Sequence, residues 1–405
     1  MKILQINTFI NSRSTGKIAE DIGKLVLSKG WESFYAFGRD PRPSVSKAIK
    51  IGNIIDVFYH GIQSFLFDKH GFGSKSATKR FIKKVKKIDP DIIHIHNIHG
   101  YYLNIELFFN YLKASNKPVV WTLHDCWSYT GHCAYYSYIN CKKWETECNN
   151  CPQLDNYPRS FFKDNSKDNF YKKNELFNSL ENLTIVPVSK WLKKELQYSY
   201  LKNHIIKMIH NGIDLKSFYI RNECKVFDRF KISSKFVILG VANVWEKRKG
   251  LEDFIELSKK LLEDEVIFLV GLNDKQLKKI PNNIIGISNT KNIDELSEIY
   301  SNADVLFNPT WEDNFPTINL EALASGTPVV TYRTGGSVES IDDKTGFVIE
   351  QGDILAAVDK IRHIKQVSKS EYTHHCRVKA EKYYNKDIVF KEYIRIYEDL
   401  VKIKQ

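Results

Sequence analysis

The chain has 405 residues, more than a single hydrophobic core usually fills, so two domains are expected. Its 42% apolar and 13% aromatic content excludes a disordered chain, and no apolar run approaches the roughly 18 residues of a membrane span. A formal net charge of +12 calls for acidic partners; without zinc-finger, RNP-like or basic-zipper spacing, nucleic acid is set aside in favour of sugar nucleotides or anionic lipid.

The opening segment, MKILQINTFI, has too short an apolar run for a signal peptide, so a cytoplasmic protein with reduced thiols is expected. It reads as a strand over residues 3–7, followed by the polar loop NSRSTGK and a helix over 18–28 stopped by Gly30. Ser14, Thr15 and Gly16 fall in that loop. The segment SATKRFIKKVKKIDP puts Lys79, Arg80, Lys83, Lys84, Lys86 and Lys87 around a narrow apolar stripe. As a helix it suits an anionic membrane surface, the inner face of the plasma membrane for a cytoplasmic protein; a solvated helix packing one face on a sheet is the alternative. Apolar runs at 91–96, 119–123 and 183–187, separated by helical patterns, predict a parallel sheet covered on both faces.

Five of the seven cysteines lie between Cys126 and Cys151, an insertion spanning 126–151. Cys148-x2-Cys151 is a metal-knuckle spacing, so Cys133, Cys141, Cys148 and Cys151 are expected to form a closed structural zinc site, with His132 as an alternate ligand. Five unliganded thiols in an aromatic-rich loop are the other reading. The turn-rich passage around Asn211 and Gly212 divides the chain. The domains are therefore set at 1–215 and 216–383, and 384–405 ends the chain with an amphipathic helix over 384–404.

In the second half, strands are expected at 236–240, 266–270, 284–287, 305–307 and 329–332. Residues 304–336 read as one βαβ unit: a strand, an acidic loop with Glu312 and Asp313, Pro316 in the first turn of a helix, Gly326 stopping it, a strand, and a loop with Thr334, Gly335 and Gly336. Carboxylates, helix N-terminal amides and a glycine loop at the carboxyl ends of parallel strands suit a phosphate-bearing ligand.

This segment resembles the family 4 retaining glycosyltransferases, the "glycosyl transferases group 1" sequences. The resemblance rests on two acidic residues separated by seven others (Asp313 and Glu321), the GTPVV stretch, the Gly-Gly loop, and GGSVES and DKTGFVI beyond. Asp313 stands where the family usually has Glu, and Glu312 is next to it. The family's Lys-Gly pair falls on Lys249 and Gly250; its upstream Arg is absent, the place reading Asn243 and Val244, so Arg248 is the candidate substitute.

The resemblance implies an α/β architecture of two Rossmann-like domains facing a central cleft, the glycosyltransferase-B fold, with the final helix crossing back to the first domain. It implies a hexosyltransferase-type enzyme that moves a sugar from a nucleotide-sugar donor to a saccharide or lipid-linked saccharide. Retention of configuration, chemistry without a metal cofactor and a role in bacterial capsule or exopolysaccharide synthesis come with it. Catalytic roles fall on His124, Asp313 and Glu321. Donor binding falls on Arg248, Lys249, Glu312, Asn314, Phe315, Pro316, Thr317, Gly335 and Gly336. The acceptor side takes Ser14, Thr15, Gly16, His96, Asp125, Ser189 and Asn211. A nucleotide-sugar epimerase of the same fold and a catalytically silent sugar-binding or assembly protein are the alternatives; product analysis and donor hydrolysis separate them.

Overall fold

The computed structural model describes residues 1–223 and 225–402; Cys224 and the last residues of the expected C-terminal helix, 403–405, lie outside the described residues. The chain forms two compact units, Met1–His210 with Phe390–Gln405, and Asn211–Val389.

The first unit is built on seven parallel strands: β1 (Lys2–Phe9), β2 (Glu32–Arg39), β3 (Lys47–Lys50), β4 (Ile92–Ile95), β5 (Val119–Leu123), β6 (Leu183–Pro187) and β7 (Ile205–Ile206), in the order β3-β2-β1-β4-β5-β6-β7. The central strands are apolar on both faces because helices cover both faces; Ile3, Leu4, Ile6, Ile92, Ile93, Val119 and Val120 are fully buried. Strand order reverses between β1 and β4, which makes their carboxyl ends the switch point where ligands of such sheets bind. Strands β2, β3 and β7 go beyond the apolar runs of the sequence. β2 mixes aromatic and polar residues, β3 is a short, mostly exposed edge, and β7 has two residues.

The second unit has six parallel strands: β8 (Phe236–Val241), β9 (Glu265–Val270), β10 (Ile284–Ile287), β11 (Val305–Asn308), β12 (Val329–Tyr332) and β13 (Gly346–Ile349), in the order β10-β9-β8-β11-β12-β13. Its switch point lies between β8 and β11, where Leu239 pairs with Leu306. The apolar runs of the sequence mark β8 to β12, and β13 falls within the DKTGFVI pattern.

The units divide at 210/211 and 389/390, not at 215/216 and 383/384. Hydrogen bonds explain the shift. Ile213 donates its N–H to Tyr384 O at 2.7 Å, Lys386 donates its N–H to Ile213 O at 3.1 Å, and Lys386 pairs with Asp214 at 2.9 Å. These bonds bind the 211–218 segment to 384–389 inside the second unit. The expected single helix over 384–404 is instead a π-helical turn (Ala380–Tyr384), a short helix (Lys386–Val389) and a last helix, Lys391–Lys402. That last helix completes the first unit. Tyr397 OH lies 2.6 Å from His94 Nδ1, and Thr122 Oγ1 donates to Tyr393 OH at 3.1 Å.

Candidate active site

Three loops meet at the carboxyl rim of the second sheet. After β8 a single 3-10 turn, Lys247–Lys249, ends at Gly250 with φ of 75°. A Cβ on Gly250 would sit 2.3 Å from Pro309 O, so only glycine lets the basic turn lie against the loop after β11. The turn delivers Lys249, whose Nζ is 2.5 Å from Asp313 Oδ2, both side chains less than a fifth exposed. Burial holds the Lys249 ammonium below its ordinary pKa, and the Asp313 charge opposes that shift. Arg248 donates from Nη1 to Glu312 O at 3.1 Å and from Nε to Glu246 at 3.1 Å, while its own carbonyl accepts from Trp311 N at 2.8 Å.

The acidic loop is rigidly fixed. Glu312, Asn314 and Phe315 are buried, and Phe315 O accepts from Asn211 Nδ2 at 3.0 Å. Asn211, expected in the first domain, thus opens the second unit and braces this loop. Pro316 is the N-cap of the helix Thr317–Ala324, one place earlier than expected, and brings no side-chain cap. The leading amides of that helix are the orphan donors of any helix start, with positive polarity for an anion. Gly336 N donates to Asp313 O at 3.3 Å and Thr334 Oγ1 to Trp311 O at 2.9 Å, closing the glycine loop, with Gly335 at φ of 45°, onto the acidic one. Glu321, one helical turn on, is half-buried against the Tyr300 hydroxyl, which burial and the Glu321 charge hold above the usual phenol range.

Beneath this rim lies a polar layer that no sequence pattern marks. Asp253 accepts from Trp311 Nε1 at 2.9 Å and from Tyr332 OH at 2.6 Å. Asn319 links Asn308 at 2.8 Å to Ser340 at 3.0 Å and Ser337 at 3.2 Å. Buried polar groups that satisfy one another in this way hold a rim in one geometry.

In the first unit, His96, His99, His124, Asp125 and Trp127 line one small recess at the carboxyl ends of β4 and β5. Its hydrogen bonds assign the tautomers. Gln5 Nε2 donates to Ala19 O at 2.8 Å, which turns Gln5 Oε1 toward His96 Nε2 at 3.1 Å. A carbonyl oxygen only accepts, so His96 carries its proton on Nε2. Its Nδ1 then accepts from His124 Nε2–H at 3.2 Å. His124 is left with a lone pair on Nδ1. Burial lowers its pKa to about 4, against the pull of Asp125. Asp125 itself sits 2.6 Å from His99 Nε2 and accepts from Trp127 N at 3.0 Å. Burial pushes its carboxyl up, but His99 and that amide outweigh burial and hold it low. His99, unmarked by the sequence reading, completes the recess with a 2.9 Å contact to Tyr157 OH.

Two acceptor-side expectations change. Ser189 is fully buried and its hydroxyl accepts from Leu192 N at 3.0 Å, so it is the cap of the helix Lys190–Leu196 and lines no surface. Ser14, Thr15 and Gly16 lie in the first turn of the helix Arg13–Ser28, not in a loop; Thr15 Oγ1 accepts from Asn7 Nδ2 at 3.3 Å.

The histidines give the fold a pH dependence with a definite sign. Burial depresses His60 and His124 to about 4 and His94 to about 3, against 6.5 ordinarily. The unfolded chain therefore binds the additional protons first. Stability is full above about pH 6.5 and is lost as pH falls toward 4, by about 1.4 kcal/mol per pH unit for each such group. Urea melts at pH 7, 6 and 5 should show a falling midpoint, and a midpoint constant to pH 5 would contradict this burial.

The cysteine-rich insertion is not the expected four-thiolate site. Among the described residues, no group of three or more His, Cys, Asp or Glu side chains is placed to hold a metal ion. Cys133 and Cys151 hydrogen-bond to each other, which raises Cys133 and lowers Cys151. Cys148 Sγ accepts from Gly131 N at 3.2 Å, and His132 Nδ1 lies 2.6 Å from Asp68. Aromatic packing braces the segment: Trp144 is buried against Tyr136 at 4.8 Å and Tyr129 at 5.1 Å, and Lys173 Nζ lies 3.5 Å from the centre of the Trp127 ring.

Both halves of the chain match known protein families. Residues 235–366 match the model "Glycosyl transferases group 1", and residues 27–217 match "Glycosyltransferase Family 4". The chain is 24% identical over 424 residues to WcaC of Escherichia coli K12, named for a glycosyl transferase of colanic acid biosynthesis, covering 99% of this chain and 100% of that one. In structure it is similar to sucrose-phosphate synthase from Thermosynechococcus elongatus, with a TM-score of 0.72 and 15% identity over 99% of both chains. It is also similar to Anabaena HepE in complex with UDP-glucose, with a TM-score of 0.70 and 13% identity over 98% of this chain and 100% of that one. These likenesses carry the glycosyltransferase-B fold, and with both halves matched in order the chain belongs to the family 4, group 1 glycosyltransferases.

Proposed function

We propose that this enzyme transfers a hexosyl unit from a nucleotide sugar to a saccharide or lipid-linked saccharide, with retention of configuration, in the assembly of a bacterial surface polysaccharide. The observation that carries this reading is the half-buried Lys249–Asp313 pair beside the start of the Thr317–Ala324 helix. A departing nucleoside diphosphate gains negative charge, and a fixed ammonium with aligned amides stabilises that charge where it develops. Lys249 and the amides near Thr317 take the diphosphate, Glu321 the ribose, and Asp313 the transferred sugar. Arg248 shapes the loop through Glu312 O and adds positive charge, so no divalent cation is needed for the chemistry. His124, proton-free at Nδ1, accepts from a sugar hydroxyl. The names of WcaC and of the UDP-glucose complex of HepE support polysaccharide assembly and a nucleotide-sugar donor. A cytoplasmic enzyme, peripheral on the inner face of the plasma membrane, fits such acceptors.

Time-resolved NMR of the reaction with a panel of nucleotide sugars and acceptors, in EDTA, tests this reading; an inverted anomer or a strict need for a cation would overturn its finer points. Glu321→Ala should raise the donor KM more than tenfold, since a charge-assisted hydrogen bond contributes about 1.5 to 3 kcal/mol. Tyr300→Phe is the control for the contact that Glu321 already makes. Asp313→Asn should depress kcat more than it weakens nucleoside diphosphate binding. If Glu312→Gln proves the more damaging change, the acidic position is one residue earlier.

A further inference from the structure

The helix Ile54–Phe67 has an inverted pattern for a surface helix. Its buried side chains are the polar His60 and Ser64, and its outer face exposes Ile54, Ile55, Phe58 and Tyr59 by 60% to 77%. Amphipathic helices in soluble proteins bury the apolar stripe and expose the polar one. Here the helix is held by polar clamps. His60 Nε2 accepts from Gly71 N and Gly73 N at 3.0 and 3.2 Å. A reciprocal capping box between Asn53 and Asp56 fixes its start. The apolar surface is thus presented by a well-anchored element and not by a frayed one.

Two neighbours extend that surface. Phe161 N donates to Phe65 O at 2.7 Å and the two rings stack at 5.6 Å, so that Phe161 and Phe162, 71% and 74% exposed, continue the ridge. On the other side Arg80 reaches Asp56 at 3.4 Å, which sets the helix Lys75–Ile88 alongside, with Lys79, Lys83, Lys84 and Lys87 exposed. At the start of the ridge, Ile54 and Val57 form the apolar wall of a cavity of about 320 Å³. Its other walls carry Arg13, Arg39 and Lys50, with Phe9 under the Arg13 guanidinium at 4.1 Å. The one carboxylate there, Asp40, is paired with Arg42 at 3.5 Å. Phe9 and Arg39 are the last residues of β1 and β2, so the cavity opens at the ligand-binding rim of this sheet.

We infer that the first unit seats on an anionic bilayer through this ridge, and that the Arg13, Arg39 and Lys50 cavity takes the phosphate of a lipid-linked acceptor. Cations flanking exposed aromatic and aliphatic side chains match a lipid interface, where apolar groups enter the acyl boundary and lysines meet phosphate. A cationic cavity that shares its wall with the ridge matches an amphiphile whose phosphate adjoins its hydrocarbon. Among the described residues no helix is long and apolar enough to cross a membrane, so the contact is a surface one. The acceptor half of this inference rests on the glycosyltransferase reading; the seating does not.

Co-sedimentation of the full chain with liposomes tests both halves. Wild type should bind vesicles of neutral and acidic phospholipid, and Phe161→Ser with Phe162→Ser should cut that binding at least tenfold. Both residues are exposed, so the thermal melt should not move. Replacing Lys83, Lys84, Lys86 and Lys87 with Gln should make the residual binding insensitive to salt. Vesicles doped with a polyprenyl phosphate should bind better than vesicles with equal charge from acidic phospholipid, and Arg39→Ala should remove only that increment. Inorganic phosphate that abolishes the increment at millimolar concentration would mark an unspecific anion site and overturn the acceptor assignment. Equal vesicle binding by wild type and the double Phe variant would overturn the seating. A nucleoside diphosphate thermal shift, run in parallel, tells failure of the glycosyltransferase reading from failure of this one.

Discussion

Lys249→Ala should lower kcat/KM for the nucleotide-sugar donor by about two to three orders of magnitude, the usual effect of deleting one fixed group that stabilises developing charge. The ammonium lies 2.5 Å from Asp313 and the pair is largely withdrawn from solvent. Removing it does two things. The phosphate loses its cation, and Asp313 is left as a part-buried carboxylate that repels an incoming diphosphate. The two single variants should therefore behave differently. Asp313→Asn frees Lys249 for phosphate, so nucleoside diphosphate should bind as well or better while turnover falls. Lys249→Ala should lose both. A kcat/KM within threefold of wild type for Lys249→Ala, with the fold intact, would take the pair out of the active site.

Asp253→Ala should be among the most destabilising single changes in the second unit. Asp253 is buried and accepts from Trp311 Nε1 and Tyr332 OH at 2.9 and 2.6 Å. Its loss strands the buried Tyr332 hydroxyl, at about 1 to 3 kcal/mol, and leaves the part-buried Trp311 indole N–H to find water, at less. For a unit of this size that corresponds to a drop of roughly 5 to 15 °C in Tm. Trp311 begins the acidic loop, and its carbonyl anchors Thr334 and Gln351, so donor KM should rise as well. Asp253→Asn should recover part of the stability, because its amide oxygen still accepts one of the two bonds. Scanning calorimetry checks this; a melt within 2 °C of wild type for Asp253→Ala would show that water replaces the carboxylate and would contradict the expected loss.

Most of the sheet architecture was legible in the sequence because strands covered on both faces are continuous apolar runs, as at Ile92–Ile95 and Val119–Leu123. The acidic loop, its helix and the glycine loop were legible because they are adjacent in the chain. What the sequence hid is what depends on distant partners. Asp253 meets Tyr332 from 79 residues away, and His99 meets Asp125 from 26. Ser189 has the residue type of a binding group and serves as a helix cap. Asn211 was placed with the first half because the turn there breaks the pattern, yet its amide is spent on Phe315 O. The cysteine spacing pointed to zinc, but spacing says nothing of where the thiols turn, and Cys133 turns to Cys151.

Hydrogen–deuterium exchange of the full chain, with and without a saturating nucleoside diphosphate, tests the central claim most directly. Ligand that binds the folded state protects the amides it contacts and raises the stability of the segments it orders. Protection should appear in residues 247–250, 311–318 and 334–337, where Lys249, the acidic loop and the glycine loop meet. It should be lost in Lys249→Ala at the same ligand concentration. Protection confined to the first unit, or to loops at the amino ends of the second sheet, would contradict the account.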